Sequence, residues 1–266
     1  MKSRTKFFCA AAFAAFALTA PALAKDVAAP MTSAAGYQIP QNGYLPAGTL
    51  HIDSWLPATP SFDSTTHTFD IQTFMATRAL TGSERFKVAE ADNVNVLDSN
   101  AMAARFADAL GGTLTDQNAP LLFAMFKRMA ADSFTTLGPL KKQVDQGGRH
   151  RPFVDFPGAK TCEAPQSLAQ NGSYPSGHAF FGWMWANMLA EVAPSRADAL
   201  FKRGLEFGDS RVICGFHYPS DVQAGRLAAA QLMTWLHTDK TFRKEFTPAC
   251  KQAARALKLS AESCPR

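Results

Sequence analysis

The stretch Gly208-Asp-Ser-Arg-Val-Ile-Cys-Gly-Phe-His-Tyr-Pro-Ser-Asp221 brings an arginine, a histidine and a carboxylate together at short spacings. His217 follows Arg211 by six residues, and Asp221 follows His217 by four. Proline and serine favour helix starts, so Pro219-Ser220 predicts a helix whose opening turn holds Asp221. A carboxylate there can hold one imidazole nitrogen and leave the other free to attack or to take a proton. His217 is therefore a candidate nucleophile.

A second stretch, Tyr174-Pro-Ser-Gly-His178, predicts an anion site. Ser176 is a strong N-cap residue, which indicates a helix start at this point. The first turn of a helix presents free backbone N–H groups, and the helix dipole favours negative charge there. Gly177 lets the backbone approach an anion closely, and Ser176 adds a hydroxyl.

Ser-Arg-x5-His-x3-Asp preceded by Pro-Ser-Gly-His resembles the signature of the type 2 phosphatidic acid phosphatase superfamily. Gly-Ser-Tyr-Pro-Ser-Gly-His together with Ser-Arg-Val-Ile-Cys-Gly is similar, in particular, to bacterial class A non-specific acid phosphatases. The resemblance covers most of the chain and is strongest from Arg149 to Arg226. Each four-residue pattern arises by chance in about one chain in a thousand of this length, so the two in order form a specific signal.

The resemblance implies a phosphomonoesterase that works through a phosphohistidine. His217 then attacks phosphorus, Asp221 orients His217, and His178 protonates the leaving oxygen. The implied phosphate ligands are Arg151, Ser176, the Gly177 amide and Arg211. Two arginine forks can offset the charge of the transferring group, so we expect no metal and no cofactor. The histidines after residue 24 also lack zinc-ligand spacing.

The lysine of the family pattern is displaced in this chain. The family places it seven residues before the arginine of Arg-Pro, but Val144 stands at that distance from Arg151. Lys142 lies nine residues before Arg151, with Gly147-Gly148 between them. A two-residue bulge at these glycines would restore the helical phase. We therefore expect Lys142 to bind phosphate, with Lys141 as the second choice.

Residues 1–24 have the layout of a secretory signal peptide: basic residues, an apolar run and Ala22-Leu-Ala24. Cleavage after Ala24 predicts a periplasmic or secreted protein. A membrane anchor is the alternative, but the apolar run is short for a span and ends at Pro21. Cleavage removes three of 27 basic residues and none of 22 acidic ones, which changes the net charge from +5 to +2.

The remaining charge argues against a nucleic-acid partner, because no basic run is left. The positive charge at Lys141, Lys142, Arg149 and Arg151 is better explained as local to an anion site. The expected partners are small phosphomonoesters, including nucleotides, with no membrane partner after signal cleavage. The oligomeric state stays open.

The fold is predicted to be all-α, a single compact helical domain with an extended N-terminal arm. Residues 25–62 form the arm because prolines interrupt any period, and residues 63–266 form the helical phosphatase domain. Arm residues such as Tyr44 and Leu45 could border a substrate pocket, but core packing is the commoner use of such side chains. The predicted helix starts are Asp98 or Asn100, Thr115-Asp116, Ser176, Ser195, Ser220 and Asp239.

Four cysteines remain after the signal segment, an even number that suggests two disulfides in an exported chain. Three pairings are possible. We favour Cys162 with Cys214 and Cys250 with Cys264, because the first bond ties the loop after Arg151 to the stretch that holds His217. Buried free thiols are the alternative.

The leading functional hypothesis is a broad-specificity acid phosphatase. An apyrase-like nucleotide phosphohydrolase and a vanadium haloperoxidase belong to the same superfamily, and either could use this cradle. A non-catalytic phosphate-binding protein is a further alternative, because the lysine motif is irregular. Intact His178, His217 and Asp221 argue against it, since binding alone needs no oriented nucleophile opposite an acid.

Overall fold

The computed structural model describes residues 31–32, 38–39, 42–164 and 166–265. This part of the chain contains nine α-helices and only two short strands, which confirms the all-α prediction. They are α1 (Thr65–Thr77), α2 (Glu84–Ala91), α3 (Ser99–Leu110), α4 (Pro120–Leu137), α5 (Pro152–Asp155), α6 (Gly177–Val192), α7 (Ala197–Ile213), α8 (Pro219–Leu236) and α9 (Lys240–Ala256). The described strands are β1 (Met31–Thr32) and β2 (Gln38–Ile39), which pair antiparallel with Met31 opposite Ile39. The predicted signal segment, residues 1–24, lies outside the described residues.

Helix α6 is the centre of the core, because its side chains are apolar on almost every face. It packs against α7 and α8, while α4 packs against α9. Trp185 of α6 is 2% exposed and stacks on Phe126 of α4 with the ring centroids 3.6 Å apart. Phe106 of α3 and Phe207 of α7 continue this aromatic cluster. A rigid helix thus carries the Pro-Ser-Gly-His stretch at its N-terminus.

The starts of α6 and α8 meet at a close backbone approach. The Ser176 N–H donates to the Asp221 carbonyl at 2.9 Å. Gly225 allows this contact, since a Cβ there would lie 2.3 Å from the Ser176 carbonyl oxygen. The two sequence motifs, 30 or more residues apart, are therefore joined through the backbone.

Three predicted caps are confirmed: Asp98 starts α3, Ser176 starts α6 and Asp239 starts α9. The prediction for α4 was wrong, because Thr115 belongs to a preceding turn and Pro120 opens the helix. Ser195 does not cap α7 either, since it lies in a 3₁₀ turn that ends at Arg196.

Helix α8 begins at Pro219 with Tyr218 as its N-cap, two residues earlier than the predicted cap at Ser220. Asp221 takes the capping function, because its Oδ2 accepts a hydrogen bond from the Tyr218 N–H at 2.8 Å. The carboxylate predicted to orient His217 is thus also held by the start of its own helix.

Both predicted disulfides are confirmed: Cys162 is bonded to Cys214, and Cys250 to Cys264. The first bond joins the loop after α5 to the residue that ends α7. The second joins α9 to the C-terminal segment.

Candidate active site

A cavity of about 930 Å³ opens between α4, α6 and the loops around them. Its polar floor holds the residues of the sequence motifs, and its walls are largely apolar. The floor residues are Lys141, Arg151, Asn171, Gly177, His178, Arg211 and His217. The apolar wall residues are Leu45, Val94, Val96, Phe134, Leu137, Leu168 and Phe181. A cavity of this size holds far more than a phosphate group.

His217 lies in the loop between α7 and α8 and is 2% exposed. The NH1 group of Arg151 lies 3.1 Å from its Nε2 atom. A guanidinium can only donate, so Nε2 accepts this hydrogen bond and carries no proton. The proton of the neutral ring is then on Nδ1. This tautomer leaves a lone pair on Nε2 at the cavity floor, as a nucleophile requires.

Asp221 is fully buried beside His217, with its Oδ2 atom 3.5 Å from Nδ1. Ser173 makes the shorter contacts to both groups. Its hydroxyl donates to Asp221 Oδ2 at 2.5 Å and lies 3.3 Å from His217 Nδ1. The Ser173 oxygen can therefore accept a hydrogen bond from the Nδ1–H group while its own proton points at the carboxylate. The predicted pairing of Asp221 with His217 exists, but a serine hydroxyl lies alongside it.

His178 occupies the first turn of α6 on the other side of the cavity floor. Its Nε2 atom lies 3.1 Å from the carbonyl oxygen of Val94. Because a carbonyl only accepts, Nε2 carries a proton, and Nδ1 is left to exchange a proton with a bound group. The loop between α2 and α3 thus fixes the orientation of this ring.

Two buried arginines form the positive side of the floor. Arg151 donates from Nε to the Asn171 carbonyl at 2.8 Å and from NH1 to the Phe216 carbonyl at 3.0 Å. Arg211 donates from NH1 to Asn93 Oδ1 at 2.7 Å. These contacts hold the planar groups in fixed positions, which suits recognition of a tetrahedral anion.

The N-terminus of α6 reaches the cavity through Gly177, whereas Ser176 does not line it. Ser176 is fully buried, and its hydroxyl accepts from the Ala179 N–H at 3.3 Å. Of the two predicted ligands in this turn, the glycine is placed at the surface of the cavity and the serine hydroxyl is used as a helix cap.

The prediction that Lys142 reaches the cavity was wrong. Lys142 is exposed, while Lys141 lines the cavity and donates to the Pro175 carbonyl at 2.8 Å. The helical-phase argument fails because α4 ends at Leu137, and the chain continues through a 3₁₀ turn and an extended segment. The turn at Gly147-Gly148 does form, with Gly147 at φ 81°, but it does not redirect Lys142.

Arg149, expected near the anion, points away from the cavity. Its NH1 group donates to Asp221 Oδ1 at 2.7 Å, and its NH2 group donates to Asp70 Oδ2 at 2.7 Å. The guanidinium packs over the Tyr218 ring at 4.3 Å. The basic cluster of the sequence is therefore divided between a cavity side, with Lys141 and Arg151, and a supporting side, with Arg149.

The cavity favours anions. Burial, with the nearby charge of Arg151 in addition, holds the pKa of the Lys141 ammonium well below its usual value. Burial and the charge of Arg211 lower the pKa of His178 in the same way. Burial and the charge of Arg151 lower the pKa of His217, so both rings are neutral near pH 7. Burial lowers the pKa of Arg151 to about 10, which still leaves it charged.

Sequence reasoning missed Ser173, Asn93 and Asp70. Ser173 stands one residue before Tyr174-Pro-Ser-Gly-His178, where its closeness to the motif was an available signal. Asn93 is 118 residues from its partner Arg211 in α7, and Asp70 is 150 residues from its partner Ser220 in α8. No local sequence pattern marks either residue.

No group of three or more His, Cys, Asp and Glu side chains within the described ranges is arranged to hold a metal ion. None of the helices in this part of the chain combines the length and apolar character that a membrane span requires.

Comparison with known proteins assigns the family. Residues 120–245 match the PAP2 superfamily. The chain is 35% identical over 207 residues to a non-specific acid phosphatase of Providencia stuartii, which covers 76% of this chain and 81% of that protein. It is 36% identical over 216 residues to an acid phosphatase of Zymomonas mobilis, covering 79% and 80%. A non-specific acid phosphatase of Salmonella typhimurium is 36% identical over 202 residues, covering 75% and 78%.

This chain belongs to the acid phosphatases of the PAP2 superfamily. It is a phosphoric monoester hydrolase, and its substrates are phosphomonoesters. The PAP2 match includes all the floor residues of the cavity. It begins at residue 120, so α1, α2 and α3 lie outside it.

Proposed function

We propose that this acid phosphatase hydrolyses phosphomonoesters through a covalent phosphohistidine at His217. The observation that carries the proposal is the hydrogen bond from Arg151 to His217 Nε2, which leaves this nitrogen unprotonated at the cavity floor. A neutral imidazole with its proton on Nδ1 is the form that can attack phosphorus.

The phosphoryl group binds between the two arginines and the N-terminus of α6. Arg151 and Arg211 donate to its oxygens as planar forks, and the Gly177 N–H adds the positive end of the helix dipole. Lys141, in place of Lys142, supplies a further positive charge once a bound anion raises its pKa. Ser176 supports this turn as its cap rather than by contact from its hydroxyl.

In the first step, a bond forms from His217 Nε2 to phosphorus while the bond from phosphorus to the ester oxygen breaks. His178 donates the Nδ1 proton to the leaving oxygen. The phosphorylated imidazole keeps its Nδ1 proton and becomes positively charged. The Ser173 hydroxyl and the Asp221 carboxylate stabilise that charge, so Asp221 acts on both the orientation and the electrostatics of His217.

In the second step, water attacks phosphorus as His178 takes its proton, and the bond from Nε2 to phosphorus breaks. His178 is protonated by this step, and inorganic phosphate then leaves. The floor contains two arginines, and a bound anion favours the charged form of Lys141 beside them, so the transferring group needs no divalent ion. Turnover should therefore persist in EDTA.

His178 must be protonated to act as the acid, whereas His217 must be neutral to attack. These opposed requirements favour activity below neutral pH. In the free enzyme burial keeps His178 neutral, but a bound phosphate anion raises its pKa by direct attraction. His217 faces Arg151 as well, which keeps it neutral in the complex. The substrate therefore helps to create its own general acid.

The cavity walls extend the proposal to substrates with sizeable apolar or aromatic leaving groups, including nucleotides. Phe134 and Phe181 form an aromatic pair there, with ring centroids 6.2 Å apart. We also place the enzyme in the periplasm or outside the cell, with cleavage after Ala24. Two disulfides agree with an oxidising compartment, and N-terminal sequencing of the exported protein tests the cleavage site.

The role of His178 is tested by the leaving group. His178→Ala should slow an alkyl phosphate far more than p-nitrophenyl phosphate, whose leaving group needs little protonation. His51→Ala is the matched control, because His51 is exposed and does not line the cavity. Equal losses on both esters would remove His178 from the acid role.

A further inference from the structure

A buried chain of charges lies behind the catalytic residues. Arg149 joins two carboxylates: its NH1 group bonds to Asp221 Oδ1 and its NH2 group bonds to Asp70 Oδ2, each at 2.7 Å. Asp70 is 1% exposed and Arg149 is 9% exposed. The His67 Nδ1 atom lies 3.0 Å from the NH2 group of Arg149, so the guanidinium has partners on each side.

Asp70 is itself held in place by hydrogen bonds from Ser220. It lies in α1, and its oxygens accept from the Ser220 N–H at 2.9 Å and from the Ser220 hydroxyl at 2.5 Å. The Ser220 hydroxyl also accepts from Arg149 NH1 at 2.7 Å. Since α1 lies outside the matched range of the PAP2 superfamily, a helix beyond that match is tied to the catalytic carboxylate.

The geometry divides the oxygens of Asp221. Oδ1 is taken by Arg149, which leaves Oδ2 to the Ser173 hydroxyl, the Tyr218 N–H and His217. A carboxylate that could rotate would exchange these partners and lose the Nδ1 contact. Burial opposes the charge of Arg149, but Asp221 and Asp70 more than offset this effect and raise its pKa. The guanidinium is thus a permanent cation that locks the carboxylate plane.

We propose that Asp70 is a positioning residue for catalysis, acting through Arg149 to hold Asp221 and so the Nδ1-protonated tautomer of His217. The inference rests on the proposed function of His217. Buried ion pairs are weak contributors to stability because desolvation offsets their attraction, so stability alone does not account for three charges placed here. Asp70 does not line the cavity.

A second buried pair serves as an internal control. Asp92 is 1% exposed and forms a salt bridge with Arg203, and its Oδ2 accepts from the Ser210 hydroxyl at 2.7 Å. This pair has the same chemistry as Asp70 with Arg149, but neither of its members contacts Asp221. Asp92→Asn therefore reports the cost of losing a buried ion pair away from the catalytic carboxylate.

The test is Asp70→Asn, which keeps the shape of the side chain and removes its charge. We expect kcat for p-nitrophenyl phosphate to fall at least about tenfold, while KM and the inhibition constant of inorganic phosphate change less than about twofold. A role in stability alone would lower the unfolding temperature and leave kcat per folded enzyme unchanged. That result would overturn the proposal.

Coupling gives the sharper measurement. Added to Asp221→Asn, Asp70→Asn should cost less than about twofold in kcat, because both changes break the same chain. In the same Asp221→Asn background, Asp92→Asn should lower kcat by the same factor as it does in the wild type. The inference would be contradicted if Asp70→Asn also lowered kcat in this background by the same factor as in the wild type.

A measurement independent of turnover covers variants that are inactive. In protein labelled with ¹⁵N-histidine, the His217 signals should show protonated Nδ1 in the wild type and a larger share of protonated Nε2 in Asp70→Asn. If Asp70→Asn does not fold, Ser220→Ala should give the same shift to a smaller extent. An unchanged tautomer would overturn the inference. Retained turnover in His217→Ala would instead overturn the proposed function, so the two failures are distinguishable.

Discussion

Arg151 donates a hydrogen bond from NH1 to Nε2 of His217 at 3.1 Å, and this contact fixes which nitrogen of the nucleophile is free of its proton. The same guanidinium is anchored by the Asn171 and Phe216 carbonyls. Arg151 is therefore placed to orient the nucleophile before phosphate binds and to hold the phosphoryl oxygens afterwards.

Arg151→Lys should lower kcat/KM at least about 100-fold, or about 2.7 kcal/mol of transition-state stabilisation. A lysine keeps the charge but loses the fork that contacts His217 and the two carbonyls together. Steady-state kinetics with p-nitrophenyl phosphate check this, and Arg85→Lys is the control because Arg85 contacts Ser210 and Glu206 outside the cavity. A loss below about threefold would show that charge alone is enough.

Ser173→Ala should lower kcat about tenfold with little change in KM, which corresponds to about 1.4 kcal/mol. The reason is that the hydroxyl links His217 Nδ1 to Asp221 Oδ2 without reaching the cavity. Thr136→Val is a matched control, since it removes another buried hydroxyl that bonds only to a backbone carbonyl. Equal kinetics of Ser173→Ala and the wild type would assign the orientation of His217 to Asp221 alone.

The two adjacent lysines provide a paired experiment. Lys141→Ala should reduce kcat/KM at least about tenfold, because it removes the amine at the cavity floor that a bound anion favours in its charged form. Lys142→Ala should change it less than about twofold, since this side chain is exposed. The reverse order of effects would contradict the placement of Lys141 and favour the bulge predicted from the sequence.

Acid should destabilise the free enzyme, and a phosphate analogue should oppose this effect. Burial lowers the pKa of both His178 and His217 in the folded state, whereas in the unfolded chain each takes up a proton near about pH 6.5. The unfolded chain therefore binds more protons below that pH, so the free energy of unfolding is greatest above it and falls as the pH falls.

Urea unfolding at several pH values between about 5 and 8 measures this dependence. Vanadate, which binds as an anion and can mimic five-coordinate phosphorus, should reduce the loss of stability on the acid side because it raises the pKa of His178. His217→Asn should flatten the profile of the free enzyme. Stability that rises as the pH falls would contradict the lowered histidine pKa values.

The fold and the site differ in how far the sequence predicted them. The helical period and strong caps such as Asp98 and Asp239 are local signals, and these predictions were confirmed. The start of α7 was missed because Pro194 opens a 3₁₀ turn that takes up Ser195. Which residue becomes the N-cap depends on which of two adjacent turns forms, and residue type alone does not determine this.

Within the site, spacing located His217, Asp221 and Arg211, because the motif lies at one helix end and one helix start. Spacing failed for the lysine, since the chain between α4 and α5 is not helical and its path depends on contacts with the segment around Pro175. Asp70 could not be found, because its partner Arg149 is 79 residues away. Long-range buried pairs of this kind carry no local pattern.

The most direct test of the account is to trap the phosphoenzyme and map it. The His178→Ala variant should accumulate the phosphoenzyme. The phosphoenzyme still forms, because the leaving group of p-nitrophenyl phosphate needs no acid, but it is hydrolysed slowly because the attacking water has lost its base. The ³²P-labelled ester, mixed rapidly with this variant and quenched in alkaline detergent, should label the peptide that contains His217 with an acid-labile, base-stable phosphate. Label on another residue, or substantial turnover by His217→Ala, would contradict the phosphohistidine mechanism.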